Sequence, residues 1–581
     1  MAQETVTRSA VEDVKAQSGH LRGELAAELA AAADSFSSES QTLLKFHGVY
    51  QQDDRDQRRA LTQAKQSLAY SCMVRTSVPG GVLSADQWLA LDTVAGELGD
   101  GTLRVTTRQG IQFHFVAKHD LRSLIGGLNR HLVTTKGACG DIVRNVVACP
   151  APHADRRQHE LLHAAQALAQ RFRPTTKAYY ELWLDGDKAM TVSPADVATE
   201  HEPVYGETYL PRKFKIGLAY PGDNCIDVYS QDVGIVPQER RGADGYAVLA
   251  GGGLGMAHAR PDDTYPRLAS PIAWVPADGL GDVVEAIVTT QRDFGDRSDR
   301  HRARLKYTID ERGLDWFRGE LAQRVGDKLP LAEPLPHWHN SDEHLGWFEE
   351  PGGTWSRGIH VDSGRVADRN GVELRTALRE LVARHGPEVR LTARQDVILS
   401  GLHAGAQADV DATLARHGVV APESLRPVRR LLMACPALPT CGQALSEAER
   451  VGPEVADTVQ DVLDRAGLGD LDLRVNITGC PNGCARPYTA ELGIVGRTKT
   501  GYDVYVGGAV GGDRLAERVA TGVKLADLAT VLEPLVTRFV AERDAGEGFG
   551  DWTHRAGVAA DGTLLAAVPI RRRAERASPA A

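Results

Sequence analysis

Three short segments occur twice in the same order, and this duplication constrains the fold more than any other feature of the chain. Arg104 to Ile111 reads RVTTRQGI, and Arg390 to Val397 reads RLTARQDV. DVGIV at 232–236 is echoed by ELGIV at 491–495, and YAVLAGGG at 246–253 by YDVYVGGA at 502–509. A unit of about 250–290 residues is far longer than a solenoid module, so the chain reads as two related halves with ligands held between them.

Around the repeats, β-rich runs (TLRVTTR, IQFHFVA, FKIGLAY) alternate with amphipathic helical stretches (SADQWLALDTVAGELG, GDVVEAIVTTQRDFG), which makes the class mixed α and β. A chain of 581 residues should hold about three or four domains. Residues 1–42 read as an Ala/Glu-rich leader, partly disordered, and 561–581 as a disordered tail. The net charge of -10 argues against a dedicated nucleic-acid binder. No stretch reaches the roughly 18 apolar residues of a membrane span, and the N-terminus lacks a signal-peptide core, so a cytoplasmic protein is expected.

In a reducing compartment, clustered cysteines are metal ligands or catalysts before they are disulfides. Four of the 8 cysteines fall in two loops, MACPALPTC (Cys435, Cys441) and GCPNGC (Cys480, Cys484). Proline after the first cysteine of each loop, and Asn482-Gly483, predict irregular backbone. The spacers are longer than the usual pairs of structural zinc. Spacing alone favours an iron–sulfur cluster and leaves zinc, or merely buried thiols, as alternatives. Cys72, Cys139, Cys149 and Cys225 stand singly and read as small core residues.

These two loops, with TGCPNGCARPY, FHGVYQQDDRD at 46–56, LPRKFK at 210–215 and TTQRDFG at 289–295, resemble the sulfite reductase hemoproteins of the siroheme and [4Fe–4S] nitrite and sulfite reductase family. The likeness runs from about residue 43 to 557. It implies an α+β, pseudo-twofold fold of three mixed domains. The boundaries expected are a first ferredoxin-like half-domain at 43–155, a first siroheme-binding domain at 156–345, a second ferredoxin-like half-domain at 346–425, and a second siroheme and cluster domain at 426–560. It also implies that Cys435, Cys441, Cys480 and Cys484 ligate the cluster, with Cys484 bridging to siroheme iron.

The same resemblance implies further site residues. Siroheme carries eight carboxylates, so its pocket needs cations and donors. Arg104, Arg108, Gln112 and His114 are evenly spaced, as residues sharing one strand face would be, and Asn482 matches a further contact to the macrocycle. For the substrate anion and its protons the corresponding residues are Arg75, Arg144, Lys213 and Lys215, with Arg212 expected to point away from the two lysines. Without the resemblance, the first set reads as a polar strand face and RKFK as a solvated edge. Arg304 and Lys306 read either as further siroheme contacts or as a basic surface helix. AGGGLG at 250–255 reads as a loop near the cofactor and not as a nucleotide site.

Lys215 favours sulfite over nitrite, because nitrite-type members typically carry asparagine there. Val143, in DIVRN where sulfite-type members usually have asparagine, leans toward nitrite, and Gly110 replaces a common threonine. No flavin-reductase region is read in the chain, so electrons are expected from another protein. Ferredoxin is favoured over an NADPH-dependent flavoprotein. A zinc-stapled binding protein is the alternative from another class.

Overall fold

The computed structural model describes residues 8–151, 156–175, 202–335, 338 and 343–559, with the backbone alone at 181–184 and 187–191. The tail expected from residue 561 lies outside the described residues. The first half contains strands β1 (Val49–Asp53), β2 (Tyr70–Arg75), β3 (Val82–Leu83), β4 (Leu103–Val105), β5 (Ile111–Val116) and β6 (Val147–Ala148). A small ribbon follows, β7 (Glu181–Leu184) with β8 (Asp187–Thr191), and then β9 (Ile216–Leu218), β10 (Val233–Arg240), β11 (Ala243–Ala250) and β12 (Ser270–Pro276). The second half contains β13 (Gly346–Glu349), β14 (Thr354–Ile359), β15 (Arg365–Val366), β16 (Asp368–Arg369), β17 (Val372–Glu373), β18 (Glu388–Leu391) and β19 (Val397–His403). It ends with β20 (Met433–Ala434), β21 (Val475–Thr478), β22 (Leu492–Gly496), β23 (Tyr502–Val506) and β24 (Glu517–Val523).

The duplication is exact in topology. The sheet β6-β9-β10-β11-β12 has parallel pairing across its first three strands and antiparallel pairing after that, and β20-β21-β22-β23-β24 repeats the pattern. The two remaining five-stranded sheets are antiparallel and exchange edges. In β1-β2-β5-β4-β15 the last strand comes from the second half, and in β13-β14-β19-β18-β3 it comes from the first. Inward side chains of both sheets, among them Val105, Ile111 and Phe113 from one and Val389, Leu391 and Val397 from the other, enter one continuous core. Removing that apolar surface from water holds the halves together. The boundary expected at 155 is corrected by this pairing: β6 lies before it yet belongs to the β9–β12 sheet.

Local chemistry sets the element ends that matter for the site. Ser84 caps the helix Ala85–Leu98 by accepting from the Gln87 N–H, and the Gln87 side chain returns the bond to the Ser84 N–H. That helix buries Trp88, Leu91 and Ala95 against the first antiparallel sheet. The turn joining β4 to β5 closes on the Thr106 hydroxyl, which accepts from the N–H groups of Arg108 and Gly110. A Cβ at Gly110 would lie 2.6 Å from the Thr76 carbonyl oxygen, so glycine fits the close approach of this turn to the end of β2.

The leader is not disordered from residue 8 onward. Helix Ala10–Gln17 docks with Lys15 fully buried, its ammonium donating to the Leu210 carbonyl at 2.9 Å and lying 2.6 Å from Glu12 and 3.7 Å from Asp141. Glu12 in turn pairs with Arg297. Buried charges persist only when paired in this way, and the bond to Leu210 supports the backbone immediately before Arg212, Lys213 and Lys215.

Candidate functional site

The two cysteine loops hang from equivalent strand ends. Cys435 follows β20 and donates its N–H to the Ile477 carbonyl at 3.3 Å, while Cys480 and Cys484 lie in the turns after β21. Gly479 N–H donates to Cys435 Sγ at 3.3 Å, and Asn482 Nδ2 lies 3.5 Å from Cys480 Sγ. Burial, and after it the proximity of Cys484, pushes up the thiols of Cys435 and Cys441, and that of Cys480 to about 12. Thiols so placed become ligands when a metal supplies compensating charge. Zinc would need its sulfurs about 3.8 Å apart, from bonds of about 2.3 Å. Among the described residues the group of three or more Cys, His, Asp or Glu ligand atoms within 4.8 Å of one another lies elsewhere, so this quartet is more open than a mononuclear zinc site and suits a larger cluster.

Cys484 is the exposed member, its carbonyl held by the Thr107 hydroxyl at 3.1 Å. Cations gather beside it. Phe214 N–H donates to the Ile142 carbonyl and Arg144 N–H to the Phe214 carbonyl, so the segment containing Lys213 and Lys215 runs alongside Val143 and Arg144. Val143 and Phe214 enter the core. Arg212 points away, to Asp141 at 3.8 Å. Burial, then Lys215, Arg144 and Arg304, lowers Lys213 well below its ordinary value. Burial, then Arg304 and Arg108, lowers Lys215 to about 7, and Cys484 partly offsets both shifts. Asp232, the carboxylate that draws on Lys215, is bonded to Arg304 at 2.7 Å. Burial, then Arg144, brings Arg108 to about 9 even though Asp232 opposes the fall.

Arg75 extends from β2 to Cys139 Sγ at 3.2 Å and to the Gln112 amide oxygen at 2.5 Å. Gln112 stands opposite Arg104 across β4 and β5, and His114 is two residues further along the same face. Both ring nitrogens of His114 are buried without a partner, as are Nε of Arg108 and Nε of Arg304. Unsatisfied donors and crowded cations of this kind fit a buried polyanion with several acceptor groups. Arg104 is placed differently from its sequence neighbours: its guanidinium is committed to Glu449 at 3.0 Å and to the Ala434 carbonyl at 2.9 Å, next to Cys435.

The glycine loop 250–255 packs on the second cysteine loop, with Met256 N–H donating to the Pro481 carbonyl. Lys306 is not on a surface helix. It is fully buried and donates to the carbonyls of Gly253 and Gly255, each at 3.0 Å, and to that of Tyr265. Glu449, Arg365, Tyr50, Thr107 and Asp232 also belong to this neighbourhood and were not singled out in the sequence. Tyr50 lies within FHGVYQQDDRD, Thr107 within the repeat RVTTRQGI and Asp232 within the repeat DVGIV, whereas Glu449 and Arg365 carry no local signal.

The duplicated counterpart of this cation cluster is closed. Aligning 232–236 with 491–495 without a gap carries Lys215 onto Arg474, and the RQ repeat carries Arg108 onto Arg394. Glu343 neutralises both, lying 2.5 Å from Arg394 and 3.0 Å from Arg474. One of the two equivalent sites therefore keeps its cations available.

Comparison with known proteins agrees with this geometry. The model of the nitrite and sulphite reductase 4Fe-4S domain matches residues 139–329 and 427–560, and that of the nitrite/sulfite reductase ferredoxin-like half domain matches 64–131 and 348–417. The sulfite reductase [NADPH] hemoprotein beta-component of Myxococcus xanthus is 44% identical over 94% of this chain and 96% of its own. Its namesake in Xanthomonas oryzae is 42% identical over 97% and 98%. The NirA protein of Mycobacterium tuberculosis shares the fold, with a TM-score of 0.77 at 23% identity over 94% of this chain and 96% of that one. No helix among the described residues is long and apolar enough to cross a membrane. With each half matched in turn by both family models, the chain belongs to the siroheme and [4Fe–4S] nitrite and sulfite reductase family.

Proposed function

We propose that the chain is an assimilatory sulfite reductase hemoprotein that takes sulfite to sulfide. The observation that carries this reading is the cluster of Arg75, Arg108, Arg144, Lys213, Lys215 and Arg304 beside the exposed Cys484, with too few carboxylates to neutralise it. Siroheme coupled to a [4Fe–4S] cluster would relay the six electrons of the reaction, delivered stepwise by the donor protein. Cys435, Cys441, Cys480 and Cys484 would hold the cluster, and Arg108, Gln112, His114 and Asn482 would contact the macrocycle. Arg104 fixes the Cys435 loop through the Ala434 carbonyl, so we assign it a positioning role.

The remaining residues handle the anion and its protons. Arg144 and Arg75 have guanidinium donors suited to oxygen atoms of a small oxyanion. Lys213 and Lys215 make no hydrogen bond from their ammonium groups to a described residue, and each is acidified by burial and then by neighbouring cations. An ammonium poised this way donates a proton readily to a departing oxygen and is recharged from solvent. Lys215→Met is expected to lower sulfite kcat about 100-fold with siroheme and iron content unchanged. The protonated form is the active one, so wild-type kcat/KM should fall as pH rises from about 7 toward the ordinary lysine value of 10.5, and the variant should lack that limb. Full turnover by the variant would remove Lys215 from proton delivery.

Lys215 supports sulfite as the preferred anion. Val143 is a core residue against Phe214, so its departure from the sulfite-type pattern changes packing without removing a cation. With a reduced viologen dye, kcat/KM for sulfite is expected to exceed that for nitrite, and the reverse order would overturn the assignment. The relatives bear NADPH-linked names, which favours an NADPH-dependent flavoprotein over ferredoxin as the donor. Mixing the purified protein with reduced ferredoxin, or with a flavoprotein and NADPH, separates the two.

A further inference from the structure

We propose a second metal site, a structural zinc ion in the first half, at the position that duplication makes equivalent to the cysteine quartet. Cys149, Asp223, Cys225 and His344 are buried, and one ligand atom from each lies within 4.8 Å of the other three. Cys149 Sγ is 3.1 Å from Asp223 Oδ2 and 3.8 Å from His344 Nε2, and that nitrogen is 3.1 Å from the same carboxylate oxygen. A tetrahedral ion with bonds of about 2.0–2.3 Å spaces its ligand atoms about 3.3–3.8 Å apart, so these three need to move only by tenths of an ångström. Cys149 and Cys225 are core residues, as expected, but they do not stand singly, because their sulfurs lie within 4.8 Å of each other.

The equivalence to the quartet is visible in backbone and sequence together. Cys149 follows β6 and donates its N–H to the Leu218 carbonyl at 3.2 Å, just as Cys435 follows β20 and donates to the Ile477 carbonyl. The gap-free alignment that carries Lys215 onto Arg474 also carries Leu218 onto Ile477, Asp223 onto Asn482 and Cys225 onto Cys484. Lys215 N–H and Arg474 N–H donate to the aligned carboxylates Asp232 and Glu491, at 2.9 and 3.1 Å, so the register is structural as well. Proline, Pro221, stands where Cys480 would be. Two cysteine positions are too few for a four-iron cluster.

Asp223 and His344 complete a four-donor set of two sulfurs, one nitrogen and one oxygen, the chemistry of structural zinc. Asp223 is oriented for this by the Cys225 N–H, which donates to its Oδ1 at 2.9 Å. The excess negative charge of two thiolates and a carboxylate is met by Arg486, which donates to the Cys225 carbonyl at 3.3 Å. His344 precedes β13, so the ion would tie the segment leading into the second half to β6 and to the loop after β9.

The test uses the holoenzyme purified without chelator. Elemental analysis is expected to give about one zinc per chain, and zinc-edge X-ray absorption to show two sulfurs at about 2.3 Å with two lighter ligands at about 2.0 Å. Cys225→Ser and His344→Gln are each expected to lower zinc at least about fivefold at unchanged iron content, with Cys72→Ser as the silent control. The absorption spectrum of the unmutated protein decides the matter if a variant fails to fold. Zinc below about 0.1 per chain after dialysis against zinc salt, zinc with only nitrogen and oxygen ligands, or a Cys149–Cys225 disulfide in the purified protein would each overturn the proposal.

Discussion

Cys484→Ser is expected to yield a folded protein with no chlorin-type visible absorption and no measurable sulfite turnover. The residue is the most exposed member of the quartet, and its carbonyl accepts from the Thr107 hydroxyl of the other half. A thiolate here would act on Lys213 and Lys215, so in the proposed function it stands between the redox groups and the anion. A serine hydroxyl is a poor iron ligand beside a thiolate. Iron should fall from about five per chain toward zero, whereas Cys72→Ser, a lone buried thiol, should leave both iron and spectrum intact. A Cys484→Ser protein that kept its visible spectrum and turned over within about tenfold of wild type would sink the ligand assignment.

Glu449→Gln is expected to produce the largest stability loss, about 3–5 kcal/mol, because it strands two buried guanidinium groups. Glu449 lies 3.0 Å from Arg104 of β4 and 2.7 Å from Arg365 of β15, and all three side chains are buried. Burial alone would push its carboxyl up, but Arg365 and Arg104 hold it down at about 2. The stabilisation is therefore fully present above its unfolded value of about 4.5 and is lost as pH falls from there toward 2. Denaturant titrations at pH 7 and pH 3 should show a smaller wild-type-to-variant gap at the lower pH. An equal gap at both would show that the ion pair is not the source.

The residues proposed for redox and anion chemistry are legible because they cluster in sequence: C-x5-C, C-x3-C and RKFK each place several polar or ligating groups within one loop. The duplication was legible for the same reason, since its repeats are contiguous. What stayed hidden depends on long-range partners. Lys15 sits in an Ala/Glu-rich stretch that reads as solvated, and its burial is explained by distant Asp141 and Leu210 together with Glu12, which Arg297 in turn holds. β3 and β15 are two residues each, too short for any periodicity to announce, yet they determine which sheet each half completes. Arg104 shared the even spacing of Arg108, Gln112 and His114, and a carboxylate far along the chain gave it a separate role.

The exchange of edge strands has a consequence for how such a chain could arise. A half-length polypeptide would leave an antiparallel sheet with an open edge, and the natural way to cover it would be a second copy donating the same short strand in return. Such a pair would hold two identical clefts, and a mutation that improved one would alter the other. Joining the copies in one gene removes that constraint. Glu343, on the segment that enters the second half, can then neutralise one set of cations while the other stays open, an asymmetry that a fused chain permits and a symmetric pair of copies would not.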